Sequence, residues 1–506
     1  MTAGIRSEHH WAEHHGATAS AAAGRFGWAD DDRLREECGV FGIFRHADAP
    51  TLTVLGLHAL QHRGQEGAGI VSHDGTKFYA ERRMGLVGDK LNRKEVIEQL
   101  KGTAAIGHVR YSTTGDSVLR NVQPLFADLD SGGFALGHNG NLTNALSLKR
   151  ELVADGAICQ STSDTEVILH LMARSRKRRL VERFIDALFQ IEGAYALVCL
   201  AGDMMIGARD PVGIRPLVIG RKDQAYVLAS ETCALDIVGA EFVREVDNGE
   251  VVVISDGGLT SHRPFARHPS RPCIFEYIYF ARPDSVVGGR SVYEVRKQMG
   301  RQLAIENNVP ADVVVPVPDS GVPAAIGFSQ ASGIPFELGI IRNHYVGRTF
   351  IEPAQQIRNL GVKLKHSANV GSVRGNRVVL IDDSVVRGTT SKKIVAMMYE
   401  AGAREVHMRI ACPPIAYPDF YGIDTPRRED LLAAKLDLEG MREFMGAASL
   451  QFLTVEGLYQ AMGLERRDPH YPQFTDHCFT GDYPTRLVDQ DGPRSDRQLS
   501  FLSEVR

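Results

Sequence analysis

Residues 378–393 read VVLIDDSVVRGTTSKK, and the fold of the C-terminal half turns on how they are read. Positions 378–381 are an unbroken apolar run, as a strand buried on both faces of a parallel sheet requires. Asp382 and Asp383 stand at its carboxyl end, and Ser384, Arg387, Gly388, Thr389 and Thr390 make a polar turn into a helix-forming stretch. Adjacent carboxylates accept from the two hydroxyls of a ribose or sit beside a divalent cation, while backbone N–H groups of the turn and helix N-terminus suit a phosphate. Gly388 lets that backbone approach closely, and the threonines add hydroxyl donors. An Asp-Asp pair alone reads as a surface turn capping a helix. The complete strand, acid pair, turn and helix favour a loop that binds a ribose 5-phosphate.

The flanking sequence supports this. Positions 292–308, 322–330 and 391–401 read as helices and 313–317 as a strand, so apolar strands alternate with helices in a parallel sheet with ligands at the strands' carboxyl ends. The stretch VVVPVPDSGVPAA, 313–325, ends a second strand in Asp319-Ser320-Gly321, another place where backbone amides can meet a diphosphate. Between the two strands lies RNHYVGRTFIEPAQQIR, 342–358. It reads either as an exposed charged loop or as a lid hinged at Gly347, with Tyr345, Arg348 and the later Lys363 covering an anionic substrate.

From 38 to about 267, short apolar strands alternate with glycine turns (CGVFGIF, FALGHNGNL, AYALVCL, AYVLAS, VVVIS), with helical runs at 166–176 and 180–189. The expected architecture is a sheet-rich layered domain with helices on its outer faces. The stretch HRPFARHPSRP, 262–272, breaks the periodicity and marks a connection between domains. The seam REECGVFGIF, 35–44, places Cys38 between a ragged polar leader and the first strand. A cut after Glu37 would set a new α-amine, with a pKa of about 7.7–8.0, beside a nucleophilic sulfur as a built-in base. The leader, 1–37, is therefore read as a disordered propeptide, and its His9, His10, His14 and His15 lack a fold to position them as metal ligands.

Of 506 residues, 43% are hydrophobic and 24% charged, an ordinary globular composition with room for several domains. The net charge of −4 gives no global field to recruit nucleic acid or an anionic membrane. No apolar run approaches the roughly 20 residues needed to span a bilayer, and the N-terminus has no secretory signal pattern. Seven scattered cysteines suit a reducing cytoplasm; Cys159, Cys199 and Cys233 read as small core residues. RDPVGIRPL, 209–217, reads as a turn without an assigned role.

The 378–393 string resembles the diphosphate-ribose motif of type I phosphoribosyltransferases. That likeness implies that Asp382 and Asp383 hold ribose and Mg²⁺, that Ser384, Arg387, Gly388, Thr389 and Thr390 bind the 5-phosphate, and that Ser320 adds a metal contact. CGVFGI, LQHRGQEGAGI (60–70), GHVRYSTTG (107–115), GHNGNLTN (137–144) and SDTE (163–166) resemble, in order, the N-terminal-nucleophile class II glutamine amidotransferase domain. By that resemblance Cys38 is the nucleophile, Arg110 pairs with glutamine's α-carboxylate, Asp164 takes its α-ammonium, and Asn139 with the Gly140 backbone forms the oxyanion hole; Arg63 is supporting structure near the thiol.

Joined in this order, with EYIYFARPDS (276–285), FYGIDTP (420–426) and CFTGDYPT (478–485), the blocks resemble the amidophosphoribosyltransferase family. The resemblance implies an αββα sandwich followed by a parallel-sheet α/β domain: leader 1–37, glutaminase 38–270, phosphoribosyltransferase 271–485 and a polar tail 486–506. The last ~35 residues, polar and proline-containing, read as loosely packed. It further implies glutamine and phosphoribosyl diphosphate as substrates, purine nucleotides as feedback inhibitors, a homotetramer, and neither nucleic-acid nor membrane partners. Aromatics of EYIYF either line a dry path for ammonia or pack an interface. Some members hold an iron–sulfur cluster on four cysteines; here Cys273 and Cys478 match, while Asp419 replaces a third cysteine and none stands three residues before Cys478, so no cluster is expected. A sensor of phosphoribosyl diphosphate with a relict glutaminase, or another glutaminase partnership, are the competing functions.

Overall fold

Two antiparallel sheets lie face to face in the N-terminal half. The first is seven-stranded, in the order Glu241–Glu245, Val218–Lys222, Ala225–Ala229, Gly39–Phe44, Ala104–Arg110, Gly67–His73, Phe78–Met84. The second has six, in the order Gly258–His262, Val251–Ser255, Met204–Arg209, Gly193–Ala201, Gly132–Leu142, Leu125–Leu129. The computed structural model describes residues 38–111, 117–343, 366–423, 425 and 427–490. The leader and the segment carrying Tyr345, Arg348 and Lys363 thus lie outside the described residues.

Strand alternation fixes the layering, because successive side chains point to opposite faces. Val40, Ile106, Ala135, Val198, Met205 and Leu228 fill the space between the sheets. Their sequence neighbours point outward. On the first sheet's outer face Phe41, Ile43 and Val109 pack under the helices Ala49–Ala59 and Thr232–Val238. On the second, Phe134, Leu136 and Leu197 pack under Thr165–Arg174 and Leu180–Leu188. This is the expected αββα sandwich. The helices predicted at 166–176 and 180–189 are present, each ending slightly earlier than the sequence suggested.

The C-terminal half is built on four parallel strands in the order Val313–Pro316, Arg377–Asp382, Glu405–Ile410, Ser449–Phe452. Val378, Val379, Leu380 and Ile381 are fully buried, which accounts for the unbroken apolar run at 378–381. The helices around them have clear chemical boundaries. Ser291 caps Val292–Asn307 by accepting from Glu294 N, and Pro323 opens Val322–Ser332, which ends on a left-handed Gly333.

Two expectations fail. The C-terminal segment is not loose over its described part: Thr475, Asp476, His477 and Cys478 are each 1% exposed, and Phe479 stacks on Phe275 at 5.2 Å. Asp489 continues the order into the 486–506 stretch, its carboxylate accepting from Leu146 N at 2.8 Å and Ser147 N at 3.0 Å of the first half. Polar composition concealed this because the polar groups are matched to partners. Cys159, unlike the buried Cys199 and Cys233, is only half-buried and lies beside Glu166 and His170.

Candidate active site

Cys38 immediately precedes the strand Gly39–Phe44, at the centre of the first sheet. The neighbouring strand pairs Gly39 with Val109, which brings Arg110 alongside the cysteine. The Cys38 thiol is 7% exposed and donates to the Tyr111 carbonyl at 3.5 Å. Burial pushes the thiol up to about 11; Arg110 opposes this, and Asp164 and Glu66 add to it. The four groups therefore share one electrostatic neighbourhood. A resting thiol rather than a thiolate results at neutral pH, so nucleophilic attack needs a base at the sulfur.

Asn139 and Gly140 come from the other sheet, on Gly132–Leu142. Asn139 is fully buried, its Nδ2 donates to Ser230 Oγ over a long 3.4 Å, and among the described residues its Oδ1 has no hydrogen-bond partner. Ser230 Oγ also accepts from Val40 N at 3.0 Å, which ties Asn139 to the backbone two residues after the nucleophile. Gly140 has φ 135°, and a Cβ there would lie 2.1 Å from the Ala194 carbonyl oxygen, so only glycine fits. Asp164 caps Thr165–Arg174: its Oδ1 accepts from Thr165 N at 2.9 Å and its Oδ2 from Leu142 N at 3.0 Å. That hydrogen bond fixes the carboxylate next to the Asn139 strand.

The second site lies at the carboxyl ends of two parallel strands. The register Val313↔Val378 to Pro316↔Ile381 places the loop after Pro316 beside Asp382 and Asp383. Ser320 Oγ donates to Asp383 Oδ1, Ser384 Oγ donates to Asp383 Oδ2 at 2.7 Å, and Asp383 N donates to Asp382 Oδ1 at 3.0 Å. Gly388 has φ 75° directly before the helix Thr389–Glu400, whose N-terminus follows the loop. A cleft beside the acids is lined by Ser320, Asp383, Arg296, Met299, Ala324 and Ile278, the last from EYIYF.

A glutamine amidotransferase domain family matches residues 108–236. The amidophosphoribosyltransferase of Rhizobium etli is 62% identical over 94% of this chain and 97% of its own length. That of Bacillus subtilis is 52% identical over 90% of this chain and 95% of its own. The solved B. subtilis glutamine phosphoribosylpyrophosphate amidotransferase complexed with ADP and GMP superposes with a TM-score of 0.85, at 50% identity over 89% of this chain and 98% of that one. The chain belongs to the amidophosphoribosyltransferase family.

As an amidophosphoribosyltransferase it is a glutamine-dependent transferase, making 5-phosphoribosylamine, glutamate and diphosphate from glutamine, phosphoribosyl diphosphate and water, the first committed step of purine biosynthesis. The sensor and the other glutaminase partnerships are thereby set aside. The structure brings Cys38, Arg110 and Asp164 into one neighbourhood and Ser320, Asp382 and Asp383 into another, whereas Tyr345, Arg348 and Lys363 lie outside the described residues.

At the positions where some amidophosphoribosyltransferases carry cluster cysteines, the donor set is different in kind. Asp419 Oδ2 lies 2.8 Å from His477 Nε2, and Cys478 Sγ lies 3.4 Å from the same nitrogen. Thr475, three residues before Cys478, donates its hydroxyl to the Arg271 carbonyl. Burial would raise the Asp419 carboxyl, yet the hydrogen bond with His477 holds it below its ordinary value. Two thiols with a carboxylate–imidazole pair do not fit a cubane. By contrast Asp382, Asp383 and Ser320 offer the oxygen donors that suit a hard divalent cation. Among the described residues, no helix is long and apolar enough to cross a membrane.

Sequence reading missed Ser230, Glu231, Arg215 and Arg296. Ser230 and Glu231 sit in ASET, 229–232, between a strand and a helix, and look like an ordinary cap. Arg215 lies in RDPVGIRPL, which the sequence singles out without a role, and Arg296 lies in the charged stretch 294–298 of a helix.

Proposed function

We propose that this amidophosphoribosyltransferase runs its two half-reactions on these two residue sets, glutamine hydrolysis in 38–270 and ribosyl transfer in 271–485. The observation that carries the reading is the convergence of Cys38, Arg110 and Asp164 from separate elements, with Asn139 linked to them through Ser230.

After removal of residues 1–37 the α-amine of Cys38 takes the thiol proton, and Sγ attacks the side-chain amide carbon of glutamine. Arg110 pairs with the substrate's α-carboxylate and Asp164 with its α-ammonium, so only an amino acid with both groups is held at the sulfur. Asn139 Nδ2 and the Gly140 N–H receive the developing oxyanion; the long bond to Ser230 leaves Nδ2 easily redirected. Ammonia leaves, and water hydrolyses the thioester to glutamate and restores the thiol.

At the second site the ammonia lone pair forms a bond to the anomeric carbon as the bond to diphosphate breaks. Asp382 and Asp383 orient the ribose hydroxyls, and the turn 384–390 with the Thr389–Glu400 N-terminus holds the 5-phosphate. Asp382, Asp383 and Ser320 would hold Mg²⁺, which neutralises charge on the leaving diphosphate. Tyr345, Arg348 and Lys363, which lie outside the described residues, are assigned to the anionic substrate on this reading. The ADP and GMP of the B. subtilis complex support purine nucleotides as feedback inhibitors. On the same reading the chain works as a cytoplasmic homotetramer.

The test is Asn139→Ala. The expected result is a fall in kcat for glutamine hydrolysis of roughly 10²–10³-fold with little change in KM, because the amide acts on the transition state. Ammonia-dependent synthesis is expected to persist. An unchanged kcat removes Asn139 from the oxyanion hole.

A further inference from the structure

Between the two sites lies a fully buried set of four charges that neither half-reaction uses. Arg63, in the turn Gln61–Arg63, donates Nε to Glu231 Oε1 and Nη2 to Glu276 Oε2. Arg215 Nη1 reaches Glu276 Oε1 at 3.3 Å from the other side. The exposures are 0% for Arg63 and Arg215 and 1% for Glu231 and Glu276. Two guanidinium and two carboxylate charges cancel, which is the condition for keeping such groups out of water.

The set touches both sites. On the glutaminase side, a methyl placed on Gly39 would lie 3.3 Å from Arg63 Cδ, so the guanidinium stem presses on the residue after Cys38. A methyl on Gly64 would lie 2.6 Å from Arg110 N. On the transferase side, Glu276 is the first residue of the π-helical turn Glu276–Phe280. That turn presents Ile278 to the cleft holding Ser320 and Asp383, and its Tyr277 carbonyl accepts from Arg296 Nε at 2.8 Å, a side chain lining the same cleft. Glu231 fastens the end of the same segment, accepting from Arg282 N at 2.9 Å and Ser285 Oγ at 2.6 Å.

RDPVGIRPL acquires a purpose here. The Asp210 carboxylate accepts from the N–H groups of Val212, Gly213, Ile214 and Arg215 at 2.6–3.2 Å, making a rigid turn that delivers Arg215 to Glu276.

We propose that Glu276, clamped between Arg63 and Arg215, is a positioning residue that couples glutamine hydrolysis to ribosyl transfer by holding the turn 276–280 in register with both sites. Each half-reaction retains its own chemistry without it; the clamp is needed for delivery of the released nitrogen. The inference rests on Cys38 being the source of ammonia, and the unsubstituted enzyme supplies the control: one phosphoribosylamine per glutamate from glutamine upholds that reading independently.

The experiment compares Glu276→Gln and the double variant Arg215→Met with Glu276→Met, in the full-length mature enzyme. The double variant removes both members of a buried pair and leaves Arg63 with Glu231, so no charge is stranded. Phosphoribosylamine formed per glutamate released is expected to fall at least fivefold, while glutamine hydrolysis and ammonia-dependent synthesis, measured separately, stay within twofold. A ratio at the parent level in a folded variant overturns the proposal. So does a parallel loss of all three activities in a variant whose melting temperature is unchanged. If Glu276→Gln does not fold, the double variant alone decides.

Discussion

Cys38→Ala is expected to lower glutamine-dependent synthesis by at least ~10⁴-fold while ammonia-dependent synthesis at alkaline pH stays within about twofold of the parent. On the proposed reading the thiol is the nucleophile, and Arg110, Asp164 and Asn139 bind or stabilise without forming a bond to substrate. The substitution removes one buried sulfur at the start of the central strand, so the cost in stability is about 1 kcal/mol. Ammonia supplied in solution bypasses Cys38 because Asp382 and Asp383 belong to a different sheet. The check is paired rate measurement with glutamine and with ammonium salt. Loss of both activities in a folded protein would show that the two halves do not divide the chemistry in this way.

The reverse result is expected for Asp382→Asn combined with Asp383→Asn. Both carboxylates are nearly buried, and Asp383 already accepts from Ser320 and Ser384, so asparagine preserves the size and part of the hydrogen bonding while removing both charges. Without them the ribose hydroxyls lose strong acceptors and a divalent cation loses its anionic ligands. Synthesis from either nitrogen source is expected to fall by at least ~10³-fold, the scale for removing charged groups that act on a transition state. Weak glutamine hydrolysis is expected to remain. The decisive assay is diphosphate release with ammonia as nitrogen donor, and a variant that kept this activity would move the ribosyl site elsewhere.

The strand and acid pair at 378–383 were legible in the sequence because one short contiguous string carries them, whereas Cys38, Arg110, Asn139 and Asp164 come from separate strings. VVLIDD states burial by its apolar run and function by its closing acid pair, and the structure finds Ile381 fully buried with the acids at the strand's end. The strand that follows Cys38 was legible from its apolar run. The clamp was not, since Arg63, Arg215, Glu231 and Glu276 lie up to 213 residues apart and each alone looks like a surface charge. The C-terminal segment misled for the opposite reason: Asp476 and His477 look exposed, yet Asp476 is matched by Arg467 and Tyr459, and His477 by Asp419. Buried polar groups track their partners rather than their type. Cys159 departed from the core because it lies in the loop between the helices Ala145–Ala154 and Thr165–Arg174.

On the proposed reading the sulfur becomes competent only at a new chain end. With its leader in place the thiol is pushed up to about 11 by burial, so its thiolate fraction grows about tenfold per pH unit below that value and is very small at pH 7. An α-amine titrating at about 7.7–8.0 would remove that dependence. The direct test is the intact mass of the purified, working enzyme, taken with its rate of glutamine hydrolysis at pH 7–8. The account predicts a chain that begins at Cys38 and hydrolyses glutamine, and a leader-bearing form that is inert in the same range. Full-rate hydrolysis by a chain retaining residues 1–37 would contradict it.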